Sequence, residues 1–149
     1  LVDMAHPDPR RARAAPANII PTTSDAIPSI GWVMPEMAGR VEGLAMRVPI
    51  VAGSLVDLTV LLARDASREA VADAFRAAAT GELAAILGVT DEELVSADFV
   101  GEPRSAVVDL PLLQQAGARL FRVVAWYDNE YGYAHRLAEL VLHVGARSR

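Results

Sequence analysis

Residues 118–133 read ARLFRVVAWYDNEYGY, an apolar run that leads directly into a cluster of aromatic rings. The run ARLFRVVAWYD is typical of a strand. A helix is predicted from about Glu130, where apolar residues repeat at helical spacing: Tyr133, Leu137, Leu140, Val141 and Val144. The junction WYDNEYGY holds all three tyrosines and one of the two tryptophans of the chain. It is therefore either a packed aromatic corner or a place where a flat ring and an amide meet a ligand.

Working outward, the clearest helix is SREAVADAFRAAAT, residues 67–80. Ser67 is its predicted cap, Gly81 its end, and Val71, Ala74, Phe75 and Ala78 its apolar stripe. Short strands are predicted in LVDLTVLLA, ELAAILGV, SADFVGEP and SAVVDL, whereas VEGLAMRVPI, residues 41–50, alternates only weakly. These elements predict an α+β fold with a mixed, mainly antiparallel sheet and helices packed on one face.

The amino-terminal third is less regular. A short helical turn is expected within residues 7–15, and NIIPTTSDAIPS, residues 18–29, is interpreted as a loop rich in hydroxyl groups. Residues 29–37 are expected to form one or two helical turns that end at Pro35. The segment before Asn18 is expected to be poorly covered. No glycine-rich loop between a strand and a helix is present, so no dinucleotide-binding fold is predicted.

Composition excludes several classes of function. The net charge of -5 offers no basic footprint for nucleic acid. No apolar run approaches the roughly 20 residues that cross a bilayer. Because the chain has no cysteine, it carries no disulfide, thiolate metal site or cysteine nucleophile, and its three histidines lack metal-ligand spacing. No metal site is therefore expected. A chain that begins with Leu1 is also interpreted as part of something longer.

Several of these segments together resemble one family. RRARAAPANIIPTTS, GLAMRVPI, GSLVDLTV, SADFVGEPRSAVVD and WYDNEYGYAHRLAEL occur in the order and at the approximate spacing of glyceraldehyde-3-phosphate dehydrogenases. The resemblance covers nearly the whole chain and implies that residues 1–149 are a partial carboxy-terminal catalytic domain. In that family the dinucleotide-binding domain, the catalytic cysteine and its activating histidine lie upstream. No catalytic residue is therefore expected in this chain.

The resemblance implies a cofactor-binding role for the aromatic junction. Asn129 matches the asparagine that holds the nicotinamide carboxamide, and Tyr133 matches the tyrosine that packs beside the nicotinamide. An amide both donates and accepts hydrogen bonds, as carboxamide recognition requires. Asp128 and Glu130 are interpreted instead as charges at a helix start. Tyr127 and Tyr131 are interpreted as core or subunit-contact residues.

The resemblance also implies a phosphate site. Arg11 matches an arginine at the inorganic phosphate site, and Arg47 matches one that reaches the substrate phosphate. An arginine offers planar, charge-assisted donors that suit phosphate. Ser24 keeps a hydroxyl where the family has threonine, but Asp25 replaces a glycine. Asp25 is expected either to pair with a nearby arginine or to point into solvent, and we favour the pairing.

Three functional hypotheses remain open from the sequence. The chain belongs to a phosphorylating dehydrogenase that uses NAD or NADP, to a divergent dehydrogenase with an altered phosphate site, or to a stand-alone binding or assembly module. The resemblance implies a cytoplasmic homo-oligomer of glycolysis, associated through its sheet, with a phosphorylated triose and inorganic phosphate as its ligands. The isolated chain is expected to bind no cofactor and to act on neither nucleic acid nor membranes.

Overall fold

The computed structural model describes residues 3–147, and it divides into an amino-terminal unit that ends at Val51 and a carboxy-terminal unit that begins at Ala52. The strands are β1 (Ile20–Thr22), β2 (Ala45–Arg47), β3 (Ser54–Leu61), β4 (Leu87–Thr90), β5 (Ala106–Asp109), β6 (Gln114–Ala116) and β7 (Leu120–Tyr127). The helices are α1 (Ala26–Val33), α2 (Arg68–Thr80) and α3 (Tyr131–Arg147). Three 3-10 turns complete the described elements: Ala15–Ala17, Pro35–Met37 and Ser96–Phe99.

The amino-terminal unit is built on a two-stranded antiparallel ribbon. Strand β1 pairs with β2, so that Ile20 lies opposite Arg47 and Thr22 opposite Ala45. Helix α1 follows β1 closely and ends before Pro35, as expected from the missing N–H of proline. The predicted loop over residues 18–29 is therefore wrong in part, because it contains β1 and the first turn of α1.

The carboxy-terminal unit contains a five-stranded mixed sheet in the order β3-β7-β5-β4, with β6 also paired to β7. Strand β7 is antiparallel to β3, β5 and β6, and β4 with β5 forms the parallel pair. The α+β class and the mainly antiparallel sheet predicted from the sequence are confirmed. The eight residues of β7 pair along their full length with β3, from Leu120 opposite Leu61 to Tyr127 opposite Ser54.

The core lies between α2 and one face of this sheet. Alternate residues of β7 point into it, namely Phe121, Val123 and Ala125. Helix α2 contributes Ala72, with Val71 and Phe75 partly buried beside it. The helix begins as predicted, since the Ser67 hydroxyl accepts the N–H of Ala70 at 3.1 Å. The predicted apolar stripe of α2 is wrong at one position, because Ala72 is buried and Ala74 is exposed.

Residues 96–99 do not form the predicted strand. They form a 3-10 turn, closed where the Asp98 carboxylate accepts the N–H of Val95 at 2.8 Å. From this turn Phe99 stacks on Trp126, with ring centroids 5.5 Å apart and planes inclined by 10°. Because Trp126 alternates with Ala125 along β7, this contact covers the sheet face opposite the core.

Helix α3 carries an apolar surface that the described residues leave uncovered. Its exposed members include Leu137, Leu140, Val141 and Leu142. Gly132 in its first turn is buried. Among residues 3–147, no helix is both long enough and apolar enough to span a membrane.

Candidate functional site

Asp128 organises the turn between β7 and α3. Its Oδ1 accepts the N–H groups of Glu130 at 3.0 Å and Tyr131 at 2.9 Å, so it caps the helix as the sequence predicted. Its Oδ2 accepts the N–H of Gly101 at 2.8 Å, and the residue is only 8% exposed. The N–H groups of Gly101 and Tyr131 lower the pKa of Asp128 below its ordinary value of 3.8; they outweigh desolvation, with a further contribution from Glu130. The junction is therefore tied to a neighbouring loop through one carboxylate.

The first turn of α3 lies close against that same loop. A Cβ atom at Gly132 would lie 3.0 Å from the carbonyl oxygen of Arg104, so a larger residue would require this backbone to shift by a few tenths of an ångström. Further along the helix, Arg136 donates to the carbonyl of Ala85 at 3.2 Å and to the Ser105 hydroxyl at 3.3 Å. These contacts fix where the residues that start α3 are placed.

The aromatic junction combines packed and exposed side chains. Trp126 is packed, because its ring stacks on Phe99 and its Nε1 donates to Asp109 Oδ2 at 2.9 Å. Tyr131 contacts the His135 ring, with centroids 4.9 Å apart. Tyr133 is 68% exposed, so its ring is available to a ligand. The strand end is therefore a packed corner, as one interpretation predicts, whereas the helix start is open and its role as a ligand site stays a prediction.

Asn129 lies at the exposed tip of this turn. Its Oδ1 accepts a hydrogen bond from the Ser54 hydroxyl at 2.9 Å. Within residues 3–147, its Nδ2 donates to no protein group. Asn129 therefore presents an oriented amide with its donor end free, four residues before Tyr133 on the same helix start. Sequence reasoning missed Ser54, whose partner is 75 residues away along the chain.

The phosphate candidates lie in the amino-terminal unit. Arg11 and Arg47 are exposed, and neither forms an ion pair within the described part of the chain. Arg47 ends β2 opposite Ile20. The Ser24 hydroxyl accepts the N–H of Ala26 at 3.3 Å, which leaves its own O–H free to donate. These residues offer charged and hydroxyl donors of the kind that phosphate requires.

Asp25 adopts the outward alternative rather than the favoured pairing. It is exposed, and among residues 3–147 it forms no ion pair with an arginine. Its backbone lies in the right-handed helical region at φ -73°, so the position makes no demand for glycine. Its carbonyl accepts both the N–H and the hydroxyl of Ser29, at 3.3 and 2.7 Å. Asp25 is thus the residue that precedes α1 and hydrogen-bonds within its first turn.

A comparison with protein families identifies the chain. Residues 1–129 match the model described as glyceraldehyde 3-phosphate dehydrogenase, C-terminal domain. The chain belongs to this family. The matched residues include the phosphate candidates and Asn129. The match confirms the resemblance drawn from the sequence motifs.

Curated members of the glyceraldehyde 3-phosphate dehydrogenase family are similar over almost the whole chain. A glyceraldehyde-3-phosphate dehydrogenase of Kitasatospora aureofaciens is 46% identical over 147 residues, which is 99% of this chain and 44% of that protein. Glyceraldehyde-3-phosphate dehydrogenase 2 of Streptomyces arenae is 48% identical over 146 residues, 98% of this chain and 43% of that protein. The glyceraldehyde-3-phosphate dehydrogenase of Mycolicibacterium smegmatis is 48% identical over 145 residues, which is 97% of this chain and 42% of that protein. The chain therefore spans less than half the length of these relatives.

Proposed function

We propose that this chain supplies the carboxy-terminal part of the catalytic domain of a phosphorylating glyceraldehyde-3-phosphate dehydrogenase that uses NAD or NADP. Such an enzyme converts an aldehyde to an acyl phosphate in the cytoplasmic reactions of glycolysis. The observation that carries the proposal is the amide of Asn129, exposed and hydrogen-bonded to Ser54, four residues before the exposed ring of Tyr133. Family membership supplies the reaction to which this geometry is assigned.

The nicotinamide end of the cofactor is assigned to the junction between β7 and α3. A carboxamide has one acceptor and one donor group, and Asn129 offers the complementary pair through Nδ2 and the second lone pair of Oδ1. Holding the carboxamide in one plane selects the ring face that meets the substrate. The Tyr133 ring excludes water from that face. When bound, the nicotinamide supplies the hydride acceptor.

The phosphate groups are assigned to Arg11, Ser24 and Arg47. Both arginines are exposed and, within the described residues, not engaged by carboxylates, so their guanidinium groups are free to bind an anion. A second candidate rests on Asp25, which stands where the family has glycine: a divergent dehydrogenase with a weaker phosphate site or another acyl acceptor. Because the carboxylate is exposed, its effect on a bound anion is limited to about 1 kcal/mol, the cost of a like charge near 4 Å in water.

The covalent step is assigned to sequence outside these 149 residues. The chain has no cysteine, and a thiolate nucleophile with a histidine base is the usual means of forming an acyl-enzyme thioester. We therefore propose that a dinucleotide-binding domain, the cysteine and the histidine precede these residues in the complete protein. The purified chain alone is expected to reduce neither NAD nor NADP.

Self-association through the sheet is part of the same proposal. Strand β3 is the edge of the sheet, and its apolar side chains are exposed on both faces: Leu55, Val56, Leu58 and Leu61. Apolar patches of this kind mark interaction surfaces, and most soluble oligomers are symmetric assemblies of one chain. Light scattering at high concentration is expected to show oligomers. A clean monomer would contradict association through this surface.

The proposal is tested with the product of the complete reading frame that contains this chain. It is expected to reduce NAD or NADP with glyceraldehyde-3-phosphate, and the rate is expected to depend on inorganic phosphate. Reduction that does not respond to phosphate would support the divergent dehydrogenase instead. No reduction by the folded protein, or an upstream frame without a dinucleotide loop and a cysteine, would support the stand-alone module.

A further inference from the structure

The contact between β3 and the β7–α3 junction points to a role for Ser54. We propose that Ser54 is a positioning residue, whose hydroxyl holds the amide plane of Asn129 ready for a nicotinamide carboxamide. The Ser54 Oγ atom lies 2.9 Å from Asn129 Oδ1. The role deepens the proposed function and rests on it, because it assigns Asn129 to the cofactor.

Ser54 is placed by backbone that is itself constrained. It is the first residue of β3 and pairs with Tyr127, the last residue of β7. Gly53 before it has φ +88°, a conformation that favours glycine. A Cβ atom at Gly53 would also lie 3.1 Å from the carbonyl oxygen of Ser96. The hydroxyl therefore projects from a point that is paired into the sheet and closely approached by the loop at Ser96.

Asn129 is constrained from its other side. Asp128 accepts three N–H groups, two from the start of α3 and one from Gly101, which hold the backbone next to Asn129. What remains free at Asn129 is its exposed side chain, and Ser54 provides its one hydrogen bond within residues 3–147. Since both backbones are already ordered, the bond restricts only side-chain torsions and costs little further entropy.

The direction of this hydrogen bond suits carboxamide recognition. Because Ser54 donates to Oδ1, both N–H groups of Nδ2 stay available to a ligand carbonyl, and Oδ1 keeps one lone pair for a ligand N–H. Loss of the hydroxyl would let the amide rotate about its last torsion, which is broad and weakly restrained. A carboxamide bound to a rotating amide would no longer present a single ring face.

The first experiment uses NMR spectroscopy of the chain itself. Its side-chain amides belong to Asn18, Gln114, Gln115 and Asn129, so the variant Asn129→Asp assigns the relevant NH₂ signals by their disappearance. In Ser54→Ala these signals are expected to move towards those of a free amide, and in Ser54→Thr they are expected to stay. Gln115, whose Nε2 donates to the carbonyls of Ala66 and Gly117 at 2.9 Å in the same unit, is the internal control. Unchanged Asn129 signals in Ser54→Ala would overturn the inference.

The second experiment uses the complete gene product and an aldehyde labelled with deuterium at C1. Ser54→Ala is expected to lower kcat/KM for the cofactor by about two- to tenfold, the range for one neutral hydrogen bond, and to place deuterium on both faces of the reduced ring. Ser54→Thr is expected to restore the rate and the single face. The control Thr80→Val removes a hydroxyl that, among residues 3–147, bonds only within α2.

The two experiments separate the inference from the proposed function. A wild-type rate and a single labelled face in Ser54→Ala would refute the positioning role, whatever the NMR signals show. Lack of cofactor reduction by the wild type would overturn the proposed function and this role with it. In that case the amide signals would still show whether Ser54 orients Asn129. Loss of folding of the carboxy-terminal unit would move the Gln115 signals as well, and Ser54→Thr then provides the decisive comparison.

Discussion

Replacing Trp126 by phenylalanine removes the indole N–H that donates to Asp109 at 2.9 Å. Asp109 is 1% exposed, so water does not replace the lost donor, and its other oxygen keeps only the N–H of Leu112 at 3.2 Å. Leaving a buried acceptor without its donor costs about 1–3 kcal/mol. Since phenylalanine still offers a ring to Phe99, we expect the free energy of unfolding to fall by about that amount.

The chain provides a matched control in its other tryptophan. Trp32 is 80% exposed, so Trp32→Phe is expected to change the free energy of unfolding by less than about 0.5 kcal/mol. Urea unfolding followed by far-UV circular dichroism measures both variants, since each change alters the fluorescence. A double-mutant cycle of Trp126→Phe with Asp109→Ala isolates the interaction between Trp126 and Asp109. The hydrogen bond from Leu112 cancels, because it is absent from both Asp109→Ala and the double variant. Equal losses at the two tryptophans, or no coupling to Asp109, would refute the reasoning.

Three further predictions concern the candidate site. Because its pKa is lowered in the folded protein, Asp128 contributes stability that is present above its ordinary pKa of 3.8 and is lost as the pH falls through the lower folded value. In Asp128→Asn the free energy of unfolding should therefore depend less on pH in that window. An unchanged dependence on pH would contradict this prediction. Asn129→Ala in the complete gene product should lower hydride transfer more than stability; unchanged turnover would mean that the cofactor role is misassigned. Asp25→Gly should alter phosphate affinity by less than about fivefold in a calorimetric titration, because the carboxylate is exposed; tightening beyond tenfold would show that it opposes the anion.

The elements predicted correctly from the sequence are those with local signals. Helix α2 carries its own cap at Ser67 and its own stop at Gly81, and both lie where the sequence placed them. Strand β7 and helix α3 show two clear periodicities on either side of Asp128. In these segments the intrinsic propensity, the hydrophobic pattern and the capping residues favour the same structure, and the tertiary contacts favour it too.

The errors lie where tertiary contacts or short-range side-chain bonds outweigh the pattern. Residues 96–99 look extended, but Asp98 bonds to the backbone of Val95 and Phe99 gains a stacking partner in Trp126. Ala72 is buried in place of Ala74 because the direction from which the sheet meets α2 is not encoded in the helix alone. Strand β1 is too short to show a period, and its partner β2 is more than twenty residues away.

The same distinction between local and long-range signals applies to the residues of the candidate site. Asn129 and Tyr133 could be named as candidates because they belong to one contiguous motif, and their role stays a prediction. Ser54 and the partner of Trp126 were missed because hydrogen bonds between distant residues leave no mark on either local sequence. The orientation of Asp25 was predicted wrongly for a related reason, since a single sequence does not specify which way an exposed side chain points.

The full-length pairing of β3 with β7 makes the placement of Ser54 all-or-none. Each residue of a strand advances by about 3.3 Å, so a slip of one position would separate Ser54 from Asn129 by more than a hydrogen bond tolerates. The same slip would move Asp57 to the other face of β3 and break the two hydrogen bonds that it accepts from the Arg122 guanidinium, at 2.8 and 2.6 Å. The register of β3 on β7 is therefore held at Asp57, about 10 Å along the strand from Ser54, and this register decides whether the hydroxyl reaches Asn129. Substitutions at Asp57 or Arg122 should thus either leave Ser54 in place or lose its contact with Asn129 altogether, with few intermediate phenotypes.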